Sequence, residues 1–126
     1  MTALKTGLTH TSSMLVDNGQ TASAMGSGDL NVLATPALLA LMENAALLTV
    51  AEALTDGITT VGAHIESSHL RPTPCGHKVS ATAVLTHIDG RKLLFKISAT
   101  DDEGNLIAEG THLRFMVDRA KFLSAL

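Results

Sequence analysis

Glu43 is the side chain in this sequence whose surroundings most favour chemistry. It lies inside residues 35–54, TPALLALMENAALLTVAEAL, where apolar residues cover nearly the whole circumference of a helix. A carboxylate buried there without a partner is costly unless it takes up a proton. We therefore expect Glu43 to have a partner or a role in proton transfer. The alternative is a less buried helix with Glu43 on its surface.

Histidines are the other groups suited to proton transfer near neutral pH. His64 and His69 lie in one predicted strand an odd number of residues apart, so only one of them can point into a given site. No histidine forms a metal-ligand pattern with cysteine or carboxylate, and we expect no metal. Cys75 is the single cysteine, which excludes an intramolecular disulfide. The remaining histidines are His10, His77, His87 and His112.

The stretch 35–54 predicts one long helix. Thr35 is a good N-cap, Pro36 suits the first helical position, and Asp56 with Gly57 ends the helix. Capping is the simplest role for Thr35 on sequence alone. Residues 17–34 are rich in Gly, Ser, Asn and Asp, and a connection of this length is typical of a lid or binding loop.

Strands are predicted on both sides of the helix. Four of them follow it, and we expect tight turns to join these into a curved antiparallel sheet. The apolar helix would then fill the concave face. The sequence thus predicts an α+β fold in a single domain, 1–126. A chain of this size gains stability when a second subunit buries more of its apolar surface. The predicted strands are 7–16, 58–70, 77–88, 91–100 and 106–117.

The composition argues against two classes of partner. Aromatic residues make up 2% of the chain, the net charge is −3, and no run of lysine or arginine occurs. We therefore expect neither nucleic acid nor an anionic membrane as a partner. The first residues, MTALKTGLTH, have no apolar signal core, and no segment reaches the ~20 unbroken apolar residues of a membrane helix. We expect a cytoplasmic protein.

A helix enclosed by a curved antiparallel sheet is the hotdog architecture, and this sequence resembles the hotdog superfamily of acyl-CoA thioesterases and dehydratases. Residues 34–46, ATPALLALMENAA, resemble its central-helix signature, which has an acid near the middle. Over roughly residues 32–122 the order and spacing of several motifs are similar to the fluoroacetyl-CoA thioesterase branch. These are Thr35, Leu41-Met42-Glu43, Gly62, His69, Thr73-Pro74 with Gly76, and Gly110-Thr111-His112 with Arg114.

The resemblance implies hydrolysis of an acyl-CoA thioester, with Thr35, Glu43 and His69 as catalytic residues. Coenzyme A is then part of the substrate, and no cofactor is expected. Thr35 and Glu43 are about 12 Å apart along the helix and cannot touch within it. The family implies a homodimer, or a dimer of such dimers, in which each site takes residues from both chains. The nucleophile is left open between Thr35, Glu43 and water.

Three further residues are expected to bind the substrate. By the resemblance, Gly62 lets the thioester approach the strand closely and Arg114 meets phosphates of coenzyme A. Arg71 has no counterpart in the family and is chosen for its place beside the turn that follows the strand. Backbone N–H groups at the start of the helix are expected to hold the oxyanion.

The sequence departs from the fluoroacetyl-specific enzyme in the segment before the helix. A phenylalanine in the lid is thought to gate that enzyme's active site, but residues 22–33 here contain no aromatic side chain. We therefore expect a different acyl group, longer or broader than fluoroacetyl. A non-catalytic hotdog module that binds acyl-CoA is the main alternative. A hotdog dehydratase is less favoured, because no histidine lies between His10 and His64.

Overall fold

The computed structural model describes residues 2–126 as a five-stranded antiparallel sheet packed on one long helix. The elements follow the predicted order, and 3-10 turns at Asn18–Gln20 and Ala51–Ala53 lie between them. In chain order they are β1 (Thr9–Leu15), α1 (Ala22–Met25), α2 (Thr35–Val50), β2 (Ile58–His69), β3 (Lys78–Asp89), β4 (Lys92–Asp101), β5 (Leu106–Asp118) and α3 (Arg119–Ser124).

The strand order in the sheet is β1-β3-β4-β5-β2. The expected hairpins join β3 to β4 and β4 to β5. The prediction that tight turns join all four later strands was wrong for β2, which pairs with β5 at the edge of the sheet. The connection after β2 contains Pro72 and Pro74, which have no N–H to donate, and it crosses to β3 instead of closing a turn.

The central helix α2 begins at Thr35. If Thr35 were the N-cap, the helix would begin one residue later, at Pro36. Ala34 is the N-cap, its carbonyl accepts the N–H of Leu38, and no side chain caps the helix. The prediction of Thr35 as N-cap was therefore wrong, which leaves its hydroxyl free for another partner. The helix ends at Val50 and continues only as a 3-10 turn to Ala53, short of the predicted residue 54.

The helix packs mainly on β1 and β3. By length and composition Thr35–Ala53 would also fit a membrane span, but the side that faces the sheet packs as a core helix does. Apolar residues surround the helix, but the strands curve around only one side of it, so not all of these residues are covered. The buried residues of α2 are Ala37, Leu38, Leu41, Met42, Ala45, Ala46, Thr49 and Val50. The other side leaves Leu39, Ala40, Glu43, Leu47 and Leu48 partly or fully exposed.

Candidate active site

Thr35 and His69 form a hydrogen-bonded pair at the start of the central helix. The Thr35 Oγ1 atom lies 2.7 Å from His69 Nδ1, although 34 residues separate the two in sequence. The hydroxyl that could have capped the helix is therefore used by an imidazole at the last residue of β2. His64 points elsewhere, and its Nε2 contacts the carboxylate of Glu66, as the strand alternation predicted.

The second ring nitrogen of His69 has no partner. Its Nε2 is buried and makes no hydrogen bond with any of residues 2–126. Burial lowers the pKa of His69, and the backbone of Arg71 offsets part of that effect. The imidazole is therefore neutral near pH 7, and a neutral imidazole whose Nδ1 faces a hydroxyl can accept its proton.

This pair borders a cavity of about 310 Å³. Ala22 and Ser27, from the segment before the helix, line one side, so that segment covers the cavity as a binding loop would. Arg71 lies at the rim and is exposed. The cavity thus brings together a hydroxyl, a neutral imidazole and, at its rim, an exposed guanidinium.

Glu43 belongs to a second cluster on the same side of the sheet. Its side chain is 44% exposed, so the expectation of full burial was wrong for the single chain, and its Oε2 lies 3.9 Å from Arg114 Nη1. The Arg114 side chain is only 8% exposed. Burial lowers the pKa of Arg114, and the Glu43 carboxylate offsets part of this effect. Glu43 therefore has a cationic partner that comes from β5.

Arg114 is held by three further contacts. Its Nε donates to Thr60 Oγ1 at 2.8 Å, and its Nη2 donates to the Thr60 carbonyl at 3.0 Å. Its Nη1 lies 3.1 Å from His112 Nε2. Burial is also the main cause that lowers the pKa of His112, and Arg114 adds to it. The sequence assigns no role to His112, although it lies in the same short motif as Arg114.

Gly62 makes room for the Glu43 carboxylate. A Cβ atom on this glycine would lie 2.8 Å from Glu43 Oε2 and 3.3 Å from His112 Cε1. The pairing of β2 with β5 shifts register immediately after Gly62. The absence of a side chain therefore lets β2 approach the carboxylate directly, and the cluster is completed by Thr60 and Arg114.

The two clusters do not meet within one chain. Thr35 and Glu43 lie eight residues apart on one regular helix, which separates them by about 12 Å. The structure thus joins Thr35 to His69 and Glu43 to Arg114, but it does not join the two pairs. If one site uses both, a second chain has to supply one of them.

Comparisons with known proteins agree on one family. A family model described as fluoroacetyl-CoA-specific thioesterase matches residues 16–120. The chain belongs to this family. The fluoroacetyl-CoA thioesterase of Streptantibioticus cattleyicolor is 36% identical over 91 residues, which cover 72% of this chain and 65% of that protein. The match thus spans slightly less than two thirds of the relative's length.

Solved structures confirm the fold of this fluoroacetyl-CoA thioesterase family member. A variant of the fluoroacetyl-CoA-specific thioesterase in complex with fluoroacetate and CoA is 30% identical and superposes with a TM-score of 0.87, covering 94% of this chain and 99% of that one. A hot-dog-like protein from Thermanaerovibrio acidaminovorans is 22% identical, with a TM-score of 0.84 and coverage of 95% and 88%. The predicted hotdog fold is therefore confirmed.

The predicted substrate-binding residues of this thioesterase family member lie in different surroundings. Arg71 is exposed beside the cavity of Thr35 and His69, where an anionic group could reach it. Arg114 is buried and points to Thr60, so its burial disfavours a contact with phosphates of coenzyme A. The geometry instead favours Arg114 as the partner of Glu43.

Alanine substitutions of Gly62 and Gly110 are expected to differ sharply in stability. At Gly62 the new Cβ meets the end of a half-exposed glutamate, which can swing aside. At Gly110 it would overlap the backbone carbonyl of Glu66, which cannot move without breaking the pairing of β2 with β5. Gly110→Ala should cost about 3 kcal/mol or more of unfolding free energy, and Gly62→Ala much less. Urea denaturation of both variants measures this difference, and equal losses would contradict it.

Proposed function

We propose that this protein is an acyl-CoA thioesterase that acts as a homodimer and cleaves a coenzyme A thioester to a free acid and coenzyme A. Membership of the fluoroacetyl-CoA thioesterase family supports the reaction class. The observation that carries the proposal is the 2.7 Å contact between Thr35 Oγ1 and His69 Nδ1 beside a cavity. A threonine that is not a helix cap and touches a neutral histidine is arranged as a nucleophile with its base.

The proposed reaction uses these two side chains in sequence. His69 takes the Thr35 proton as Oγ1 attacks the thioester carbonyl carbon, and the same proton passes to the sulfur when the C–S bond breaks. Water then attacks the acyl-threonine and gives up a proton to a carboxylate. The bond between the acyl carbon and Oγ1 breaks, Oγ1 takes back that proton, and the acid is released. The helix begins at Thr35, so its first N–H groups lack partners within the helix and are placed to stabilise the oxyanion.

The dimer follows from two uncovered surfaces. Strand β2 is an edge strand of 12 residues with one side unpaired. The face of α2 that carries Leu39, Glu43 and Leu47 is also uncovered. A two-fold axis through the middle of β2 would pair the strand with its copy in antiparallel fashion and bring the two helices together. Both surfaces would then be buried in one interface.

This pairing would bring the partner's Glu43 toward His69. Within one chain Gly62, which contacts Glu43, lies seven residues or about 23 Å from His69 along β2. If β2 pairs about its midpoint, the partner's Gly62 lies opposite Ile65, only four residues or about 13 Å along the strand from His69. This distance is similar to the ~12 Å that separates Thr35 from Glu43 along one helix, and we assign the activation of water to the partner's carboxylate.

The same pairing offers space for coenzyme A. The apolar side chains of Leu54, Ile58 and Met116 line a second cavity of about 600 Å³. Its charged lining residues are Arg91, Lys121 and Asp118. In the midpoint pairing, Ile58 of one chain lies opposite His69 of the other, so the two cavities would adjoin. Apolar walls suit the pantetheine arm, and the cations suit its phosphates.

The acyl group is proposed to differ from fluoroacetyl. The cavity-lining residues of the loop are all small or aliphatic: Ala22, Ser27, Val32 and Leu33. No aromatic side chain from residues 22–33 narrows the space beside Thr35. A longer or broader acyl chain would therefore fit next to the hydroxyl.

The pH dependence of the reaction should report His69. Only its neutral form accepts a proton, and burial lowers its pKa below the ordinary value. We therefore expect kcat/KM to stay level from about pH 8 through neutrality and to fall only below the usual histidine range near 6.5. A pH–rate profile measures this. A midpoint at or above the ordinary histidine value would contradict the role of His69 as a buried neutral base.

Thiol release tests the proposed function directly. Purified protein is incubated with coenzyme A thioesters from acetyl to long-chain and aryl, and free thiol is measured against time. We expect release from at least one ester, which also identifies the acyl group. Saturable binding of the same esters by calorimetry without any release would instead establish a non-catalytic acyl-CoA-binding module.

A further inference from the structure

His112 has a hydrogen-bonding pattern that leaves only one protonation state. Its Nδ1 lies 2.7 Å from the carbonyl oxygen of His64, which can only accept, so Nδ1 carries the proton. Its Nε2 lies 3.1 Å from Arg114 Nη1, which can only donate, so Nε2 carries none. The ring is 1% exposed, and burial is the largest cause that lowers the pKa of His112. The imidazole is thus a fixed neutral acceptor.

The two contacts of His112 connect the strand to the arginine. His64 follows the register shift of β2 beside Gly62, so the bond from Nδ1 fixes the irregular part of that strand. Three hydrogen bonds orient the guanidinium of Arg114: Nη1 donates to His112 Nε2, and Nε and Nη2 donate to Thr60. In this orientation Nη1 lies on the side of Glu43. The carboxylate itself is 3.9 Å away, too far to hold the guanidinium alone.

We infer that His112 is a positioning residue for the reaction proposed above: it accepts a hydrogen bond from Arg114 and thereby holds the cation that orients Glu43. The expected effect of His112 on the rate of hydrolysis rests on the proposed function. The structural part of the inference, a neutral Nδ1–H histidine that fixes a buried arginine, stands on the contacts alone.

Two substitutions of His112 form a matched pair. In His112→Asn the amide N–H can replace Nδ1 and still donate to the His64 carbonyl, but no acceptor reaches Arg114. In His112→Gln the longer side chain places an amide oxygen near the position of Nε2, so Arg114 keeps an acceptor while the bond to the His64 carbonyl is lost. Both lose the ring that packs 6.3 Å from Phe95, so that loss is common to the two variants.

We expect His112→Asn to lower kcat about tenfold with little change in KM, and His112→Gln to retain most of the activity. The decisive comparison repeats His112→Asn in a Glu43→Gln background. A residue that acts through Glu43 has no further effect there, whereas a residue that merely supports the fold lowers the rate again. Equal losses in Asn and Gln, or losses that add to that of Glu43→Gln, would overturn the inference.

Nuclear magnetic resonance separates this inference from the proposed function. The imidazole ¹⁵N signals of His112 should show a protonated Nδ1 and a bare Nε2. The Nη–H signals of Arg114 should exchange slowly in the wild type and in His112→Gln, and rapidly in His112→Asn. If the wild type released no thiol, these signals would still decide whether His112 holds Arg114. A protonated Nε2, or identical Arg114 signals in all three proteins, would overturn the inference.

Discussion

Replacing Glu43 by glutamine is expected to lower kcat for acyl-CoA hydrolysis at least ~100-fold, the scale of a lost acid–base group. Glutamine keeps the shape of the side chain and its contact with the Gly62 strand, but it cannot take a proton from water. Because the carboxylate is 44% exposed and its ion pair with Arg114 spans 3.9 Å, the fold should be kept. Steady-state kinetics and thermal unfolding of the same protein sample measure both effects.

The control is Glu52→Gln in the 3-10 turn that follows the helix. Glu52 is an exposed carboxylate outside both clusters, and its substitution should leave kcat unchanged. If Glu43→Gln turned over substrate at the wild-type rate, Glu43 would be a surface partner of Arg114 and not part of the catalytic machinery. If it melted much lower than wild type, the pair with Arg114 would be mainly structural.

The second large effect is expected at Thr35. Thr35→Val replaces the hydroxyl with a methyl group of similar shape and removes the atom that contacts His69 Nδ1 at 2.7 Å. We expect kcat to fall at least ~100-fold, because the nucleophile is gone. Thr35→Ser keeps a hydroxyl on the same carbon and should retain a substantial part of the rate. Thiol release with each variant measures the difference.

Stability separates this role from helix capping. Loss of an N-cap typically costs about 1 kcal/mol, but the N-cap of α2 is Ala34, and Thr35 makes no capping bond. Thr35→Val should therefore lose no capping energy, and only the solvent-exposed hydrogen bond to His69, about 1 kcal/mol or less, is removed from the fold. A variant that remained fully active but unfolded more easily would show that Thr35 serves the helix and not the reaction.

Much of the fold could be predicted because its signals are local. The apolar run with Pro36 indicated the central helix, and the turn at Asp89 and Gly90 indicated the hairpin of β3 and β4. The position of β2 could not be read in this way, since its pairing with β5 joins segments about 50 residues apart. The start of the helix was displaced by one residue because Thr35 takes the first helical position after Ala34, whose carbonyl accepts the N–H of Leu38, and the Thr35 hydroxyl contacts His69 instead of capping the helix.

The candidate site was only partly accessible from sequence. The resemblance pointed to Thr35, Glu43 and His69, but the contact between Thr35 and His69 depends on where β2 ends relative to the helix. Arg114 is expected from the resemblance to bind phosphates. Its contacts with Thr60 and Glu43 depend on the pairing of β5 with β2, which the sequence does not reveal. His112 belongs to the motif Gly110-Thr111-His112 that contributes to the resemblance, but the sequence assigns it no role, because the neighbouring donor and acceptor are known only from the structure.

The most direct test of the account mixes two inactive variants. Thr35→Val and Glu43→Gln are purified separately, unfolded and refolded together so that their dimers exchange, and thiol release is compared with each variant alone. If each site takes Thr35 and His69 from one chain and Glu43 from the other, a mixed dimer contains one intact site. Random mixing should then restore about a quarter of the wild-type activity.

Formation of the mixed dimers is checked by native mass spectrometry. Restored thiol release that rises with the fraction of mixed dimers is the predicted result. Mixed dimers that form but remain inactive would contradict the central claim, because they would mean that both residues serve within one chain or that one of them takes no part in the reaction.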